Sequence, residues 1–376
     1  MAFFEREIKK LGFGLMRLPK KDDQIDIDQV KIMVDRFLEE GFTYFDTAFL
    51  YTGSEEAIRK ALVERYPRDR YQLATKNAAW LNCKTREDAI AQFETSLERT
   101  GAGYFDNYLL HNLGEARTQV FEDFNMWEFV KEKKAEGKIR HIGFSFHSTP
   151  EELEKILIAH PEAEFVQLQI NYADWENPAI QSRGVYEMAR KYGKAVIIME
   201  PLKGGLLANP PEPVAKVFQE ADPSISASSW GIRFAANLDG VLVALSGMSS
   251  VEQMEDNLSY MKDFHGMTAE QLAVVDRARD ALNAIPLIPC TSCDYCAKAC
   301  PMEIGISGTF TAKNLYTLYG DMKRAAMEER WKVEDKGRKQ AVNCIRCGAC
   351  EEVCPQHIDI REQLAKAAEL FSQTKE

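Results

Sequence analysis

Four residues in the first third of the chain have the types and spacing of a proton-transfer site. Asp46, Lys76 and His111 each follow a short apolar run, and Tyr51 comes five residues after Asp46. A free phenol titrates near pH 10, about three units too high for easy donation at neutrality. A lysine ammonium beside it favours the phenolate and is expected to lower that value. Asp46 would hold the lysine, and His111 would hydrogen-bond a carbonyl oxygen. Tyr51 would then protonate that oxygen as reducing equivalents reach the carbon. Singly, each residue has a plainer reading as a solvated charge, a structural imidazole or a packed ring. Their joint placement is what argues for chemistry.

A second set lies at the other end. The chain has nine cysteines, and only Cys83 precedes residue 290. The pattern Cys290-x-x-Cys293-x-x-Cys296-x-x-x-Cys300-Pro301 is followed by Cys344-x-x-Cys347-x-x-Cys350-x-x-x-Cys354-Pro355. Each copy is the bacterial ferredoxin pattern for a [4Fe–4S] cluster, in which the fourth cysteine ligates the other cluster. Cys290, Cys293, Cys296 and Cys354 are therefore expected on one cluster, and Cys344, Cys347, Cys350 and Cys300 on the other. Zinc is the competing ligand for paired CxxC motifs; two full copies each ending in Cys-Pro favour the clusters. A disulfide framework would need an oxidising compartment, and no signal-like apolar run stands in MAFFEREIKK.

The bulk of the chain bounds the partners. It has 376 residues, 45% of them hydrophobic, and a formal net charge of -11. An acidic chain is a poor match for nucleic acid or a membrane surface, and no stretch nears the ~20 apolar residues of a spanning helix. A cytoplasmic protein without nucleic-acid or membrane partners is expected.

The elements that must position these groups alternate. Strand-like runs occur at residues 11–16, 42–45, 71–75, 104–110, 139–145, 165–170, 195–199 and 241–245. Helical periods fall between them, at residues 28–40, 55–66, 85–100, 120–136, a segment opened by Thr149 and Pro150, 179–192, 226–237 and 251–262. A further helix covers 268–284. Eight βα units in about 280 residues fit a closed (β/α)₈ TIM barrel of the α/β class. No glycine fingerprint of an open dinucleotide-binding sheet follows the first strand. In a parallel barrel the C-terminal strand ends share one mouth, which would gather Asp46, Lys76 and His111. Trp80, Phe49, Trp127 and Trp175 are candidates to line it. Residues 286–376 read as a small, mainly helical domain carrying the cysteine motifs, after a barrel over 1–285.

The stretches LGFGLMRLP, YFDTAFLYTGSEEAIRKAL, LATK, FDNYLLHNL, IRHIGFSFH and LVALSGMSSVEQMEDNL resemble the aldo-keto reductases over residues 8–285. The resemblance implies an NAD(P)-dependent barrel enzyme that interconverts carbonyls and alcohols. It places that family's catalytic tetrad on Asp46, Tyr51, Lys76 and His111. It also implies nicotinamide contacts from Ser145 and Gln167, and a pyrophosphate-side loop at Pro201, Leu202, Lys203 and Gly204. An adenosine-phosphate site would involve Gly247, Ser249, Gln253 and Asn257, at a helix N-terminus where free N–H groups attract phosphate. The plainer reading of SSVEQ is a helix cap. Phe146 stands where the family commonly has Asn, and Met199 where it has a stacking aromatic. No arginine occurs in residues 200–223 to meet a 2′-phosphate. NADP(H) is favoured, with NAD(H) the alternative.

The whole chain resembles a branch of that family with a C-terminal two-[4Fe–4S] ferredoxin-like domain. The implied function is an oxidoreductase acting on a small carbonyl or alcohol, with the clusters coupled to turnover or stabilising the fold. Clusters move single electrons and nicotinamide moves two, so a conduit would need a one-electron partner such as a flavin or a redox protein. The alternative is an electron-transfer or assembly protein whose barrel is a docking platform.

Overall fold

The computed structural model describes residues 3–4, 8–114, 116–178 and 180–372. The chain divides into two compact units. One comprises residues up to 208 together with 218–277; the other comprises 209–217 and the chain from 278 on.

The first unit is built on eight parallel strands that close into a barrel: β1 (Leu11–Gly14), β2 (Tyr44–Asp46), β3 (Gln72–Asn77), β4 (Phe105–Leu113), β5 (Ile139–Phe146), β6 (Phe165–Gln169), β7 (Ala195–Met199) and β8 (Val241–Ser246). Each strand pairs with its neighbours in chain order, and β1 closes on β8. Strands covered on both faces should be apolar almost throughout, and every residue of β2 and β3 is buried. Its helices are α1 (Ile27–Glu39), α2 (Ser54–Ile58), α3 (Arg86–Thr100), α4 (Ala116–Asp123), α5 (Met126–Ala135), α6 (Pro150–Ala159), α7 (Ser182–Lys191), α9 (Ala227–Asn237) and α10 (Val251–Met261), while α8 (Glu212–Ala221) and α11 (Ala269–Asn283) each have residues in both units. Their starts are chemically marked. Thr85 forms a reciprocal capping box with Asp88, and Thr149 caps α6 ahead of Pro150 at its first position.

Side chains two apart on a strand share a face. Tyr44, Ala74, Leu109, Phe165, Ile197 and Val243 fill one layer of the barrel interior. Two residues further along the same strands come Asp46, Lys76, His111, Gln167, Met199 and Leu245. A polar layer thus lies directly above an apolar one, at the C-terminal end. The lower layer leaves no room elsewhere: a Cβ on Gly143 would lie 2.5 Å from the Phe165 ring, and one on Gly12 would lie 2.5 Å from Val243 Cγ1.

Several elements depart from the sequence expectation. The helix expected over 120–136 is two helices, broken where Asn125 adopts φ 49°. The helix expected to run to Tyr66 continues α2 only as a wider turn over Arg59–Val63. The helix expected from Ala179 starts at Ser182, and Ala179 itself lies outside the described residues. β4 runs on to Leu113, so His111 sits inside the strand rather than after it. A two-stranded hairpin, Lys20–Lys21 with Gln24–Ile25, and helix α8 were not expected.

The second unit is helical around its cysteines: α12 (Tyr295–Ala299), α13 (Ile306–Tyr319), α14 (Met322–Glu329), α15 (Ala349–Glu352) and α16 (Ile360–Ser372). Its core joins Cys296, Cys350 and Cys354 with Ile304, Ile306, Phe310, Ile358, Ile360 and Leu364.

Candidate functional site

The barrel mouth gathers the four sequence-selected residues. Lys76 Nζ donates to Asp46 Oδ1 at 2.5 Å and to the Thr47 carbonyl at 2.7 Å, and both ionic side chains are almost fully buried. The same ammonium lies 5.2 Å from the centre of the Tyr51 ring. That ring meets His111 edge-on at 6.0 Å. An ion pair, a phenol and an imidazole are therefore in mutual contact at one end of the barrel.

Local sequence holds Tyr51 there. Its loop is pinned to β3 by Thr47 N–H to the Ala74 carbonyl at 2.9 Å and Phe49 N–H to the Lys76 carbonyl at 3.2 Å. At the start of α2, Ser54 Oγ is 2.7 Å from Thr47 Oγ1 and donates to the Leu15 carbonyl. Buried Glu55 accepts from Thr75 at 2.7 Å and from Arg99, which also donates to the Phe49 carbonyl. Thr75 precedes Lys76, so Glu55 ties the tyrosine's loop to the lysine's strand. Sequence reasoning missed Glu55, which reads there as an ordinary first-turn acid.

Electrostatics correct one expectation. The Tyr51 hydroxyl titrates above the ordinary phenol value, because burial raises it more than Lys76 lowers it, with Asp46 and Glu200 adding to the rise. Burial also raises Asp46 against the pull of Lys76. Lys76 is penalised by burial, yet Asp46 brings its titration above the usual ammonium value. Burial pushes His111 well below the imidazole range, and Lys76, His147 and Arg117 push it further. At neutral pH the site holds a protonated phenol and a neutral imidazole.

Ser145 and Gln167 share this polar layer. Ser145 Oγ accepts from Asn112 N–H at 2.7 Å. Gln167 approaches Asp46 and favours its charged form, while its own Oε1 is buried with no partner among the described residues. An amide N–H would satisfy that acceptor, which fits a carboxamide-bearing cofactor. The loop after β7 has positive φ at Glu200, Lys203, Gly204 and Gly205, an uncommon run for which functional loops are a usual setting. Within it Pro201 is buried and Leu202 half-buried, and Lys203 Nζ is held by buried Asp174 at 2.5 Å. The adenosine-side candidates mostly have partners already. Ser249 N–H donates to Gln253 Oε1 at 2.8 Å, and Ser249 Oγ donates to the Arg17 carbonyl. Gln253 N–H meets the cap Ser250. Asn257 donates to Ser246 and accepts from Tyr260. Gly247 is exposed beside them.

Of the aromatic candidates for the pocket wall, Trp80 brings its side chain to the tetrad: its indole N–H donates to the His111 carbonyl at 2.7 Å. Trp127 stacks on His160 and Trp175 packs on Phe234, both among helices, and Phe49 lies under Arg99.

In the second unit, Cys300, Cys344, Cys347 and Cys350 line a single cavity with Pro301, Ile304 and Ile306. Cys290 lies within electrostatic reach of Cys293 and Cys354, and Cys296 within reach of Cys290 and Cys293. Each grouping brings the first three cysteines of one motif together with the last cysteine of the other. Among the described residues no three Cys, His, Asp or Glu side chains gather as they would around one ion. A cubane, whose thiolates each take a different corner, suits cysteines ringed about a cavity. Burial pushes the Cys296 thiol up to about 12 and Cys350 up to about 11; buried thiols of this kind gain from a cationic metal centre. Cys83 is half-buried and accepts from Gln92 at 3.1 Å, as a packed thiol would.

Residues 10–280 match the aldo/keto reductase family, and residues 286–358 match a 4Fe-4S dicluster domain. The chain is 29% identical over 240 residues to the aldo-keto reductase str7 of Strobilurus tenacellus, covering 59% of this chain and 68% of that one. It is also 29% identical over 244 residues to an aldo-keto reductase of Mycolicibacterium vanbaalenii, covering 64% and 79%. Among solved structures it is similar in fold to an aldo-keto reductase from Klebsiella pneumoniae in complex with NADPH. The TM-score is 0.58 and the identity 23%, covering 72% of this chain and 90% of that one.

Proposed function

The chain belongs to the aldo/keto reductase family of oxidoreductases and carries a 4Fe-4S dicluster domain after its barrel, and on that premise we propose that it interconverts a small aldehyde or ketone with its alcohol, using NADP(H), with Tyr51 as general acid and base. The observation that carries this reading is the buried Asp46–Lys76 pair beneath the Tyr51 ring, with neutral His111 against its edge. Bound NADP(H) supplies or accepts two electrons as hydride, and [4Fe–4S] clusters exchange single electrons.

The residues divide the proton chemistry. A carbonyl oxygen seated between Tyr51 and His111 gains negative charge as it is reduced. Tyr51 gives it a proton, and Lys76 stabilises the phenolate left behind. Asp46 keeps Lys76 charged and fixed. Neutral His111 orients the oxygen with a hydrogen bond and does not compete as an acid. Tyr51 is protonated at neutral pH, the state the reductive direction needs, and Lys76 offsets part of the burial that makes the phenol a weaker acid. Gln167 Oε1 and Ser145 are the groups that would orient a carboxamide. Lys203, with the Pro201–Gly204 backbone, would face the pyrophosphate, and Gly247, Ser249, Gln253 and Asn257 would lie along the adenosine phosphate. NADP(H) is preferred to NAD(H) because the structural neighbour from Klebsiella pneumoniae is described with NADPH.

The dicluster domain would hold two [4Fe–4S] clusters, on Cys290, Cys293, Cys296 and Cys354, and on Cys344, Cys347, Cys350 and Cys300. Two such clusters would suit a reducing, cytoplasmic setting and a redox partner protein. Among the described residues no helix is long and apolar enough to cross a membrane.

The test is anaerobic carbonyl reduction by the full chain and by Y51F. Loss of reduction with iron content and cluster spectrum unchanged supports the reading. If neither NADPH nor NADH binds the wild type, the reading fails.

A further inference from the structure

The groups that would serve a cofactor lie along β5 to β8, at Ser145, Gln167, residues 201–204 and residues 247–257. The opposite arc of the mouth, above β3 and β4, carries a cation that the chemistry so far leaves unused. Arg117, near the start of α4, is exposed, with its Cζ 4.6 Å from the centre of the Trp80 ring. Its guanidinium makes no hydrogen bond or ion pair among the described residues. Trp80 in turn has its ring centre 6.3 Å from that of His111 and donates its indole N–H to the His111 carbonyl. Arg117 is thus one indole away from the imidazole expected to grip the carbonyl oxygen.

This placement is selective. In a chain of net charge -11, a guanidinium beside the reaction centre with no ionic partner among the described residues is a local reversal of sign. Its charge reaches both His111 and the exposed His147 that follows β5. Glu200, which acts on Tyr51 and His147, follows β7, three strands round the barrel. Among the described residues the charged groups that act on His111 are the cations Lys76 and Arg117, with His147. A guanidinium stacked on an indole keeps its N–H edges free, and those edges match a carboxylate in a bidentate pair. The indole between the two polar points offers an apolar surface of one ring's breadth.

Resting on the carbonyl-reductase reading, we propose that Arg117 is the specificity-determining residue of this site, and that the substrate is an aldehyde or ketone carrying a carboxylate about one ring's length from the carbonyl. The carbonyl oxygen goes to Tyr51 and His111, the middle of the molecule lies on Trp80, and the carboxylate pairs with Arg117. The reduction is otherwise unchanged: the carbonyl carbon gains hydride, the oxygen gains the Tyr51 proton, and NADPH is oxidised.

The probes are 4-formylphenylacetic acid and its methyl ester, which differ in charge and, because a methylene insulates the ring from the carboxyl group, little in carbonyl reactivity. Wild-type protein should show a kcat/KM for the acid at least about tenfold above that for the ester at low ionic strength, a difference of about 1.4 kcal/mol. Added salt should shrink that ratio, because the pair is partly exposed. R117Q should bring the ratio close to one, and R117K should retain part of it. A ratio that R117Q leaves intact overturns the proposal, as does a wild type that prefers the ester. If wild type reduces neither compound, the reductase reading fails, and calorimetric titration with 4-formylphenylacetic acid still decides the anion site. Binding weakened about tenfold by R117Q supports it, and equal binding overturns it.

Discussion

Replacing Lys76 by methionine separates the stability of the buried ion pair from its chemistry. Lys76 and Asp46 are 1% and 3% exposed, and among the described residues the ammonium has Asp46 Oδ1 and the Thr47 carbonyl as its hydrogen-bond partners. K76M keeps most of the side-chain volume but leaves Asp46 buried without its counter-charge. Removing one partner of a buried pair costs about 3–5 kcal/mol, whereas removing both can be nearly neutral. K76M should therefore be destabilised by about 3–5 kcal/mol at neutral pH, and D46N/K76M by much less, giving a large coupling energy in the double-mutant cycle. The loss has a pH signature. Burial already raises Asp46 above its ordinary value despite Lys76; without the lysine its folded value rises further. A raised folded value contributes stability at low pH that is lost as pH rises through it. The K76M deficit should accordingly be small near pH 4, where an ordinary carboxyl is half protonated, and complete above the folded Asp46 value. Denaturant unfolding followed by the barrel tryptophans under anaerobic conditions reads this. Catalysis should not follow stability: both variants lose the cation beside Tyr51 and should lose about 10²–10⁴ in kcat. The reasoning is refuted if K76M is within about 1 kcal/mol of wild type at neutral pH, or if the double variant recovers turnover with stability.

Because the Tyr51 hydroxyl titrates above the ordinary phenol value, carbonyl reduction should show no falling limb below about pH 10; a full pH profile of kcat/KM checks it. His111 titrates far below its ordinary value, so it contributes stability that is present above about pH 6.5 and lost as pH falls. H111Q should therefore flatten the acid side of the stability profile. C300S and C347S should each lower iron from about eight to about four per chain, and the double variant should stay near four, because both residues serve one cluster; iron near zero in the double variant would place Cys300 on the other. G143V forces a side chain into the Phe165 ring and should cost about 1–3 kcal/mol by denaturant unfolding.

Much of the barrel was legible because parallel strands buried on both faces leave unbroken apolar runs, and because caps such as Thr85 and Thr149 mark the helices between them. The polar layer was legible for a related reason: Asp46, Lys76 and His111 each interrupt such a run at its C-terminal side. What escaped lacked a local signal. The Lys20–Ile25 hairpin is short and charged, and its turn rests on Asp22 and Asp23 at positive φ rather than on glycine. Helix α8 follows a proline-rich segment that reads as loop, and the break before α5 depends on Asn125 alone. The direction of the Tyr51 shift could not be read from its neighbours in sequence. It depends on how deeply the ring is enclosed, and burial outweighs the lysine that sequence reasoning put first. Glu55 was likewise invisible as a partner of the site, since it acts through Thr75, a residue distant in sequence; Trp80 was a candidate for the wall, but its bond to the distant His111 had no local signal.

The central claim, that this barrel reduces carbonyls directly from a nicotinamide cofactor, is tested most directly by following the label from deuterated NADPH in a single anaerobic turnover. The account predicts one deuterium on the carbinol carbon of the product while the cluster spectrum stays oxidised. Product whose new carbon-bound hydrogen comes from solvent, formed only after the clusters are reduced, would contradict it.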